Sequence, residues 1–415
     1  MSSQTTKRSR APLWGALFGV AAVAVFLYSI LPALTSVSYK EPALIAAPPA
    51  VEPLSAAKEE PTSAHVPPPK DVKAIYMSQC VVGTPSFRNS LVQFIDESEL
   101  NSVVIDIKDY TGKIAFPTDN PVLADAVSDA CGARDMREFI ATLHQKNIYV
   151  IGRITVFQSP YYTKLHPEQA VQKKGGGVWK DNKGLAFVDV GAKDYWGYVV
   201  ELGKESYAMG FDELNFDYIR FPSDGPMQQA VYSFDDGKPK AQVLEEFFKY
   251  LTDQLRPTGA VLSADLFGMT ATSYDDLGIG QVLERALPYF DYVYPMVYPS
   301  HYPSGFNGYK DVNAHSYDIV KFAMDTAVKR AQATTTTVPG LAFTPIASTS
   351  PQLYSKPVYS ADKIRPWLQS FDYPVTYTPA MVESQIKAAN DAGLQSWAFW
   401  DAGNKYNALR RALAE

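Results

Sequence analysis

The sequence predicts a (β/α)8 barrel, and three observations carry the prediction. From Val72 onward one grammar repeats: an amphipathic helical run ends in Gly or Asn, and an apolar strand-like run begins almost at once. It is seen in SELNSVVIDIKD (98–109), HQKNIYVIGRITVF (144–157), YAMGFDELNFD (207–217), RPTGAVLSADLFG (256–268) and NDAGLQSWAFWDAG (390–403). Gly or Asn suits the left-handed residue that closes a helix, and β-branched or aromatic runs suit a buried strand. Adding AIYMSQ (74–79), DYVYPMVYP (291–299) and TVPGLAFT (337–344) brings the strands to the number a closed barrel needs. The third observation is that helix-to-strand turns are short, whereas the connections 110–134, 158–192, 222–237, 300–312 and 345–377 are long. Barrel sites are built from the loops after the strands. The competing arrangement, an open doubly wound sheet, lacks a Gly-rich phosphate turn after its first strand.

In chain order, residues 1–10 hold Lys7, Arg8 and Arg10 and read as a cytoplasmic tail. Residues 11–39 carry no charge, and their run LWGALFGVAAVAVFLYSIL has the ~20-residue length that spans a bilayer. The flanking positives stay inside, so the bulk of the chain faces outward, at the cell surface or in the periplasm. A cleaved signal peptide is the alternative, but the apolar stretch exceeds the ~7–15 residues usual there, so an uncleaved single-pass signal-anchor is expected. Residues 40–70 contain eight prolines among Ala, Ser and Glu and read as a linker. Residues 71–415 form the barrel. Its helices are expected at 85–100, 135–146, 193–209, 238–255, 279–290, 313–333, 378–392 and 405–414.

Composition bounds the function. A net charge of −6 with no basic stripe argues against nucleic acid as partner. The absence of a P-loop, a GxSxG elbow, HExxH or paired CxxC leaves nucleotide hydrolysis, serine esterase and zinc-protease chemistry without their signatures. No cofactor and no resident metal is expected. Cys80 and Cys131 both follow strands at the same barrel end, as a disulfide or as two buried free thiols.

Period-two alternation separates lumen from exterior. It turns Asp106 and Lys108 inward on the second strand, Arg153 and Thr155 on the third, and Glu213, Asn215 and Asp217 on the fourth. Ser263 and Asp265 turn inward on the fifth strand, Tyr294, Met296 and Tyr298 on the sixth, and Trp400 on the last. Asp106–Lys108 and Glu213–Arg153 are candidate structural ion pairs. Asp217 and Asp265, nearest the loop end of neighbouring strands, are the candidate catalytic carboxylates. Two carboxyls flanking a glycosidic bond can protonate the leaving oxygen and attack or activate water. Asp106 is a further catalytic candidate, and it joins the other two in a weaker, metal-assisted reading. Arg153, Arg220, Tyr294, Tyr298 and Trp400 are expected to hold the sugar. His301, after YPMVYPS, and Trp179, after the glycines 175–177, are expected at the mouth, each with plain surface or loop packing as the alternative.

The segments IDIKDYTGKIAFPTD, YVIGRITVFQSP, GGGVWKDNKGLAFVD, GFDELNFDYIRFPSDG and LQSWAFWDAGNKY resemble a family of glycoside-hydrolase-like barrels catalogued largely as a domain of unknown function. More remotely, the fourth and last strands are similar to those of α-amylase-like and chitinase-like barrels. In the amylase pattern a nucleophile Asp ends the fourth strand and an acid ends the fifth, which the resemblance carries onto Asp217 and Asp265. The chain departs from that pattern where Asn215 replaces an Arg and Asp265 a Glu. It departs from the chitinase pattern where Tyr218 or Ile219 stands in place of an acid Glu. The resemblance implies a membrane-anchored glycosidase acting on polysaccharide or cell-wall glycan. The alternative is a non-catalytic, glycan-binding barrel of the cell envelope.

Overall fold

The computed structural model describes residues 65–414. The expected tail, the apolar run 11–39 and most of the linker lie outside them. Among the described residues no helix is long and apolar enough to cross a membrane. The end of the Pro-rich stretch is docked on the barrel. His65 stacks on Tyr207 at 3.9 Å, and the Val66 N–H donates to Asp212 at 2.8 Å.

Eight parallel strands close into a barrel in sequential order: β1 (Lys73–Met77), β2 (Ser102–Lys108), β3 (Tyr149–Thr155), β4 (Glu213–Asp217), β5 (Val261–Phe267), β6 (Tyr292–Met296), β7 (Trp367–Gln369) and β8 (Trp397–Trp400), with β8 pairing back onto β1. The outer helices are α1 (Pro85–Asp96), α2 (Met136–Gln145), α3 (Lys193–Met209), α4 (Lys240–Leu255), α5 (Leu283–Ala286), α6 (Ser316–Gln332), α7 (Pro379–Asp391) and α8 (Asn407–Ala412). The repeating grammar has its expected cause. Gly210 closes α3 at φ +123° and Asn147 follows α2 at φ +57°, conformations a β-branched residue would resist.

Alternation sorts the core into two layers. Val103, Ile105, Ile107, Val150, Ile154, Leu214, Phe216, Leu262, Leu266, Trp397 and Phe399 pack outward in one cluster with helix residues such as Leu91, Leu143 and Phe247. Ala74, Tyr76, Val104, Tyr149, Ile151, Tyr294, Trp367 and Ala398 fill the lumen. Each fully buried aliphatic side chain contributes on the order of 1.5–3 kcal/mol.

Three expectations are corrected. The seventh strand is Trp367–Gln369, not 337–344, whose flanking residues instead form a small antiparallel sheet (335–336, 344–345 and 354–355) outside the barrel. Pro339 cannot donate to a central ladder, whereas in β7 the proline, Pro366, stands just ahead of the strand. The stretch 345–366 therefore leads into β7 rather than leaving it for the mouth. The helix expected at 279–290 shrinks to one turn, because Gly278 and Gly280 sit at φ +70° and +83° and Pro288 lacks a donor N–H. Lys108 does not face the lumen. The register shifts between Asp106 and Lys108, and the Lys108 Nζ turns out to donate to Thr155 O at 2.5 Å and to the Tyr195 hydroxyl of α3 at 3.2 Å. Burial lowers its pKa to about 7.

At the mouth, Cys80 and Cys131 form a disulfide that ties the loop after β1 to the loop after β2.

Candidate active site

The site follows from register. Arg153 on β3 pairs with Asp106 on β2 and with Asn215 on β4, so its inward side chain rises between acids from both neighbours. On β4 and β5, Asn215 pairs with Ser263 and Phe216 with Ala264, which leaves Asp217 and Asp265 one step nearer the loop end.

Arg153 is the hub. Its Nη1 donates to Asp106 Oδ1 at 2.6 Å, while Nε and Nη2 donate to Asp217 Oδ2 at 3.0 and 2.5 Å. Its Nε also lies 3.9 Å from Asp265 Oδ2. The two distances from that one nitrogen limit the separation of Asp217 Oδ2 and Asp265 Oδ2 to at most about 7 Å, no farther apart than glycosidase carboxylates reach. The guanidinium lies 4.9 Å from the Trp400 ring, and Tyr76 stacks on the same indole at 3.9 Å. Burial opposes the charge on Arg153, but Asp217 and Asp106 override it and hold the group protonated.

The two carboxyls at the loop end differ in environment. Asp217 Oδ1 accepts the N–H of Tyr218 at 2.5 Å, and Tyr218 itself sits at φ +47°, strained for an aromatic residue and placed where the chain turns out of the barrel. Asp265 Oδ1 accepts the Asn215 amide at 2.9 Å and the Trp367 indole N–H at 2.8 Å. Burial, and then the neighbouring Asp217 carboxylate, push Asp265 well above the usual carboxylate range. With two donors on Oδ1, its proton belongs on Oδ2. Asp106 is also raised by burial, against the pull of Arg153, and its Oδ2 accepts the Tyr76 hydroxyl at 2.5 Å. A carboxyl pushed toward its neutral form beside a second one held by a guanidinium suits acid–base chemistry at a glycosidic bond.

A cavity of about 320 Å³ opens over the pair, lined by Asp217, Asp265, Arg153, Arg220, Tyr298, Trp400 and His301 among others. Two expected sugar contacts lie elsewhere. Tyr294 is fully buried below the cavity, where Tyr149, Tyr294 and Arg365 all donate to Glu213. Trp179 is also fully buried, its Nε1 donating to Pro226 O at 3.1 Å. It clamps the loop after β3 onto the loop after β4 and leaves no face for stacking. Neither expected structural pair forms: Glu213 pairs with Arg365, and Asp106 with Arg153. The three acids considered for a metal-assisted reading converge on the Arg153 guanidinium. Among the described residues no acid, histidine or cysteine cluster is arranged for a metal ion.

Residues missed in the sequence include Tyr76 and Trp367. The alternation of Ala74 and Tyr76 against Ile75 and Met77 carries the signal for the first. Trp367 was lost with its strand, although Trp367 inward and Leu368 outward already alternate.

A family model described as a putative glycosyl hydrolase domain matches residues 74–406. No curated protein matches the chain. Among solved structures, a hypothetical protein from Ruminiclostridium thermocellum shows 33% identity and a TM-score of 0.42, covering 49% of this chain and 98% of its own. The PgaB (BpsB) glycoside hydrolase domain from Bordetella bronchiseptica shows 12% identity and a TM-score of 0.54, covering 83% of this chain and 99% of its own. An alpha-L-fucosidase isoenzyme 2 from Paenibacillus thiaminolyticus shows 9% identity and a TM-score of 0.54, covering 83% of this chain and 49% of its own. The last two likenesses are of fold.

Proposed function

The chain belongs to the family described as putative glycosyl hydrolase domain, and from that premise we propose that it hydrolyses glycosidic bonds in a polysaccharide or cell-wall glycan outside the cytoplasm. One observation carries the reading: Asp217 is paired with Arg153, while Asp265, at most about 7 Å away, is driven toward its neutral form. Asp265 gives its Oδ2 proton to the leaving oxygen as the bond from the anomeric carbon breaks. Asp217 attacks that carbon or takes a proton from the attacking water. Arg153 and Asp106 keep Asp217 in place, and Arg220, Tyr298, Trp400 and His301 line the space for the sugar. Such positioned acid–base catalysis contributes roughly 10²–10⁴-fold.

The location rests on two supports. A disulfide such as Cys80–Cys131 persists in oxidising compartments, and the uncharged run 11–39 has the length of a membrane anchor. A second reading, a barrel that binds glycan without cleaving it, is favoured by the hydrogen bonds already made by both Asp217 oxygens. The test is incubation of the full-length chain, in mild detergent, with neutral β-glucans, amino-sugar polymers, uronic-acid polymers and isolated peptidoglycan, with products read by mass. New oligosaccharides from one of these support the hydrolase. No product from any, together with retained binding, supports the second reading.

A further inference from the structure

The central cavity shares lining residues with two grooves, which also meet each other along Trp400 and Ala402. Through Tyr298, His301 and Trp400 it shares walls with a groove of about 990 Å³ that runs under the loops after β7 and β8. Through Arg153, Lys183, Tyr218 and Arg220 it shares walls with a groove of about 790 Å³ toward the loops after β1 and β2. A tyrosine stands on each outer part: Tyr373, 58% exposed, in the first groove, and Tyr110, 56% exposed, in the second. Tyr373 follows β7 and Tyr110 follows β2, and those strands are three steps apart on a ring of eight. Between the cavity and Tyr373, the rings of Tyr298, Phe371 and His301 pack on one another at 5.4–5.7 Å, and Tyr373 lies 6.0 Å from His301.

Exposed tyrosine rings beside these grooves suit the flat apolar faces of sugar rings. A site that trims chain ends needs one closed side to stop the terminal residue. Here the cavity over the carboxyl pair shares walls with two grooves. Building on the hydrolase reading, we propose that the mouth is an open-ended cleft that holds an extended glycan across the barrel, with Tyr110 and Tyr373 as distal stacking platforms, so that cleavage falls within chains. The glycan contacts at these platforms are remote from the reacting bond, so they act on long substrates and leave short ones untouched.

The test uses the full-length chain on the polymers named above, comparing loss of viscosity with release of reducing ends. Cleavage within chains drops viscosity well before reducing ends accumulate. Tyr110→Ala and Tyr373→Ala each raise KM on the polymer about five- to tenfold, with kcat on a tri- or tetrasaccharide of the same sugar unchanged. Early release of mono- or disaccharide with viscosity preserved overturns the proposal, as does unchanged polymer KM in both variants. If none of the polymers is cleaved, the hydrolase reading fails while the cleft is still read by affinity electrophoresis in gels containing each polymer. Retardation that weakens in both tyrosine variants supports the cleft, and no retardation, or equal retardation in all forms, overturns it.

Discussion

The indole N–H of Trp367 on β7 donates to Oδ1 of Asp265 on β5 at 2.8 Å, across the lumen and past β6. That bond, with the Asn215 amide on the same oxygen, stabilises the ionised form of a carboxyl that burial otherwise keeps neutral. The acidity of Asp265 is therefore set by two opposing contributions that can be separated by mutation.

Replacing Trp367 with Phe removes one donor to the carboxylate while keeping an aromatic ring in place. The pKa of Asp265 should rise further, so the alkaline limb of a pH–rate profile should move to higher pH. A limb that stays, or moves to lower pH, contradicts the role given to Asp265.

The same carboxyl affects stability. A folded-state pKa above the unfolded one contributes stability that is present below the unfolded value and lost as pH rises through the folded value. Asp265→Asn should therefore flatten the decline in Tm between the ordinary carboxylate range and neutral pH. Thermal melts across that window give the answer, and an unaltered slope argues that Asp265 ionises normally.

Asp217→Asn should lower turnover about a thousandfold, with a smaller loss of Tm, because Arg153 keeps its bonds to Asp106 and to the amide oxygen while the amide nitrogen faces the Tyr218 N–H. Steady-state rates and melting curves on the same preparation separate the two effects. Unchanged turnover removes Asp217 from the reaction.

Glu213 lies four residues before Asp217 on the same face and should behave in the opposite way. Arg365→Ala leaves Glu213 charged and buried without its cation, which costs roughly 3–5 kcal/mol. Glu213→Gln should leave kcat near that of the parent chain, since the residue lies below the cavity with its bonds closed. Denaturant unfolding and kinetics check the pair. A collapse of kcat with stability intact would place Glu213 in the chemistry.

The Cys80–Cys131 bond spans 51 residues of chain, for which loop entropy predicts a stabilisation of roughly 2–4 kcal/mol. Cys80→Ala with Cys131→Ala should lower stability by that amount. Addition of reductant should lower the Tm of the parent chain and leave the double variant unmoved.

The sequence by itself determined the barrel, because Gly and Asn helix stops and period-two strands are local properties of the backbone. It also determined the inner face of FDELNFD, with Glu213, Asn215 and Asp217 inside. Only the tertiary structure decided which partners meet. Arg153 joins Asp106 and Asp217 because register aligns β2, β3 and β4, while Glu213 draws Arg365 from a position 152 residues away. Trp179, read locally as a candidate platform, is buried by a loop that arrives from the far side of β4. Trp367 was hidden because a three-residue strand carries little periodicity of its own and is held by its neighbours β6 and β8. Local sterics write the strand faces into the chain, whereas pairings between distant residues exist only once the ring has closed.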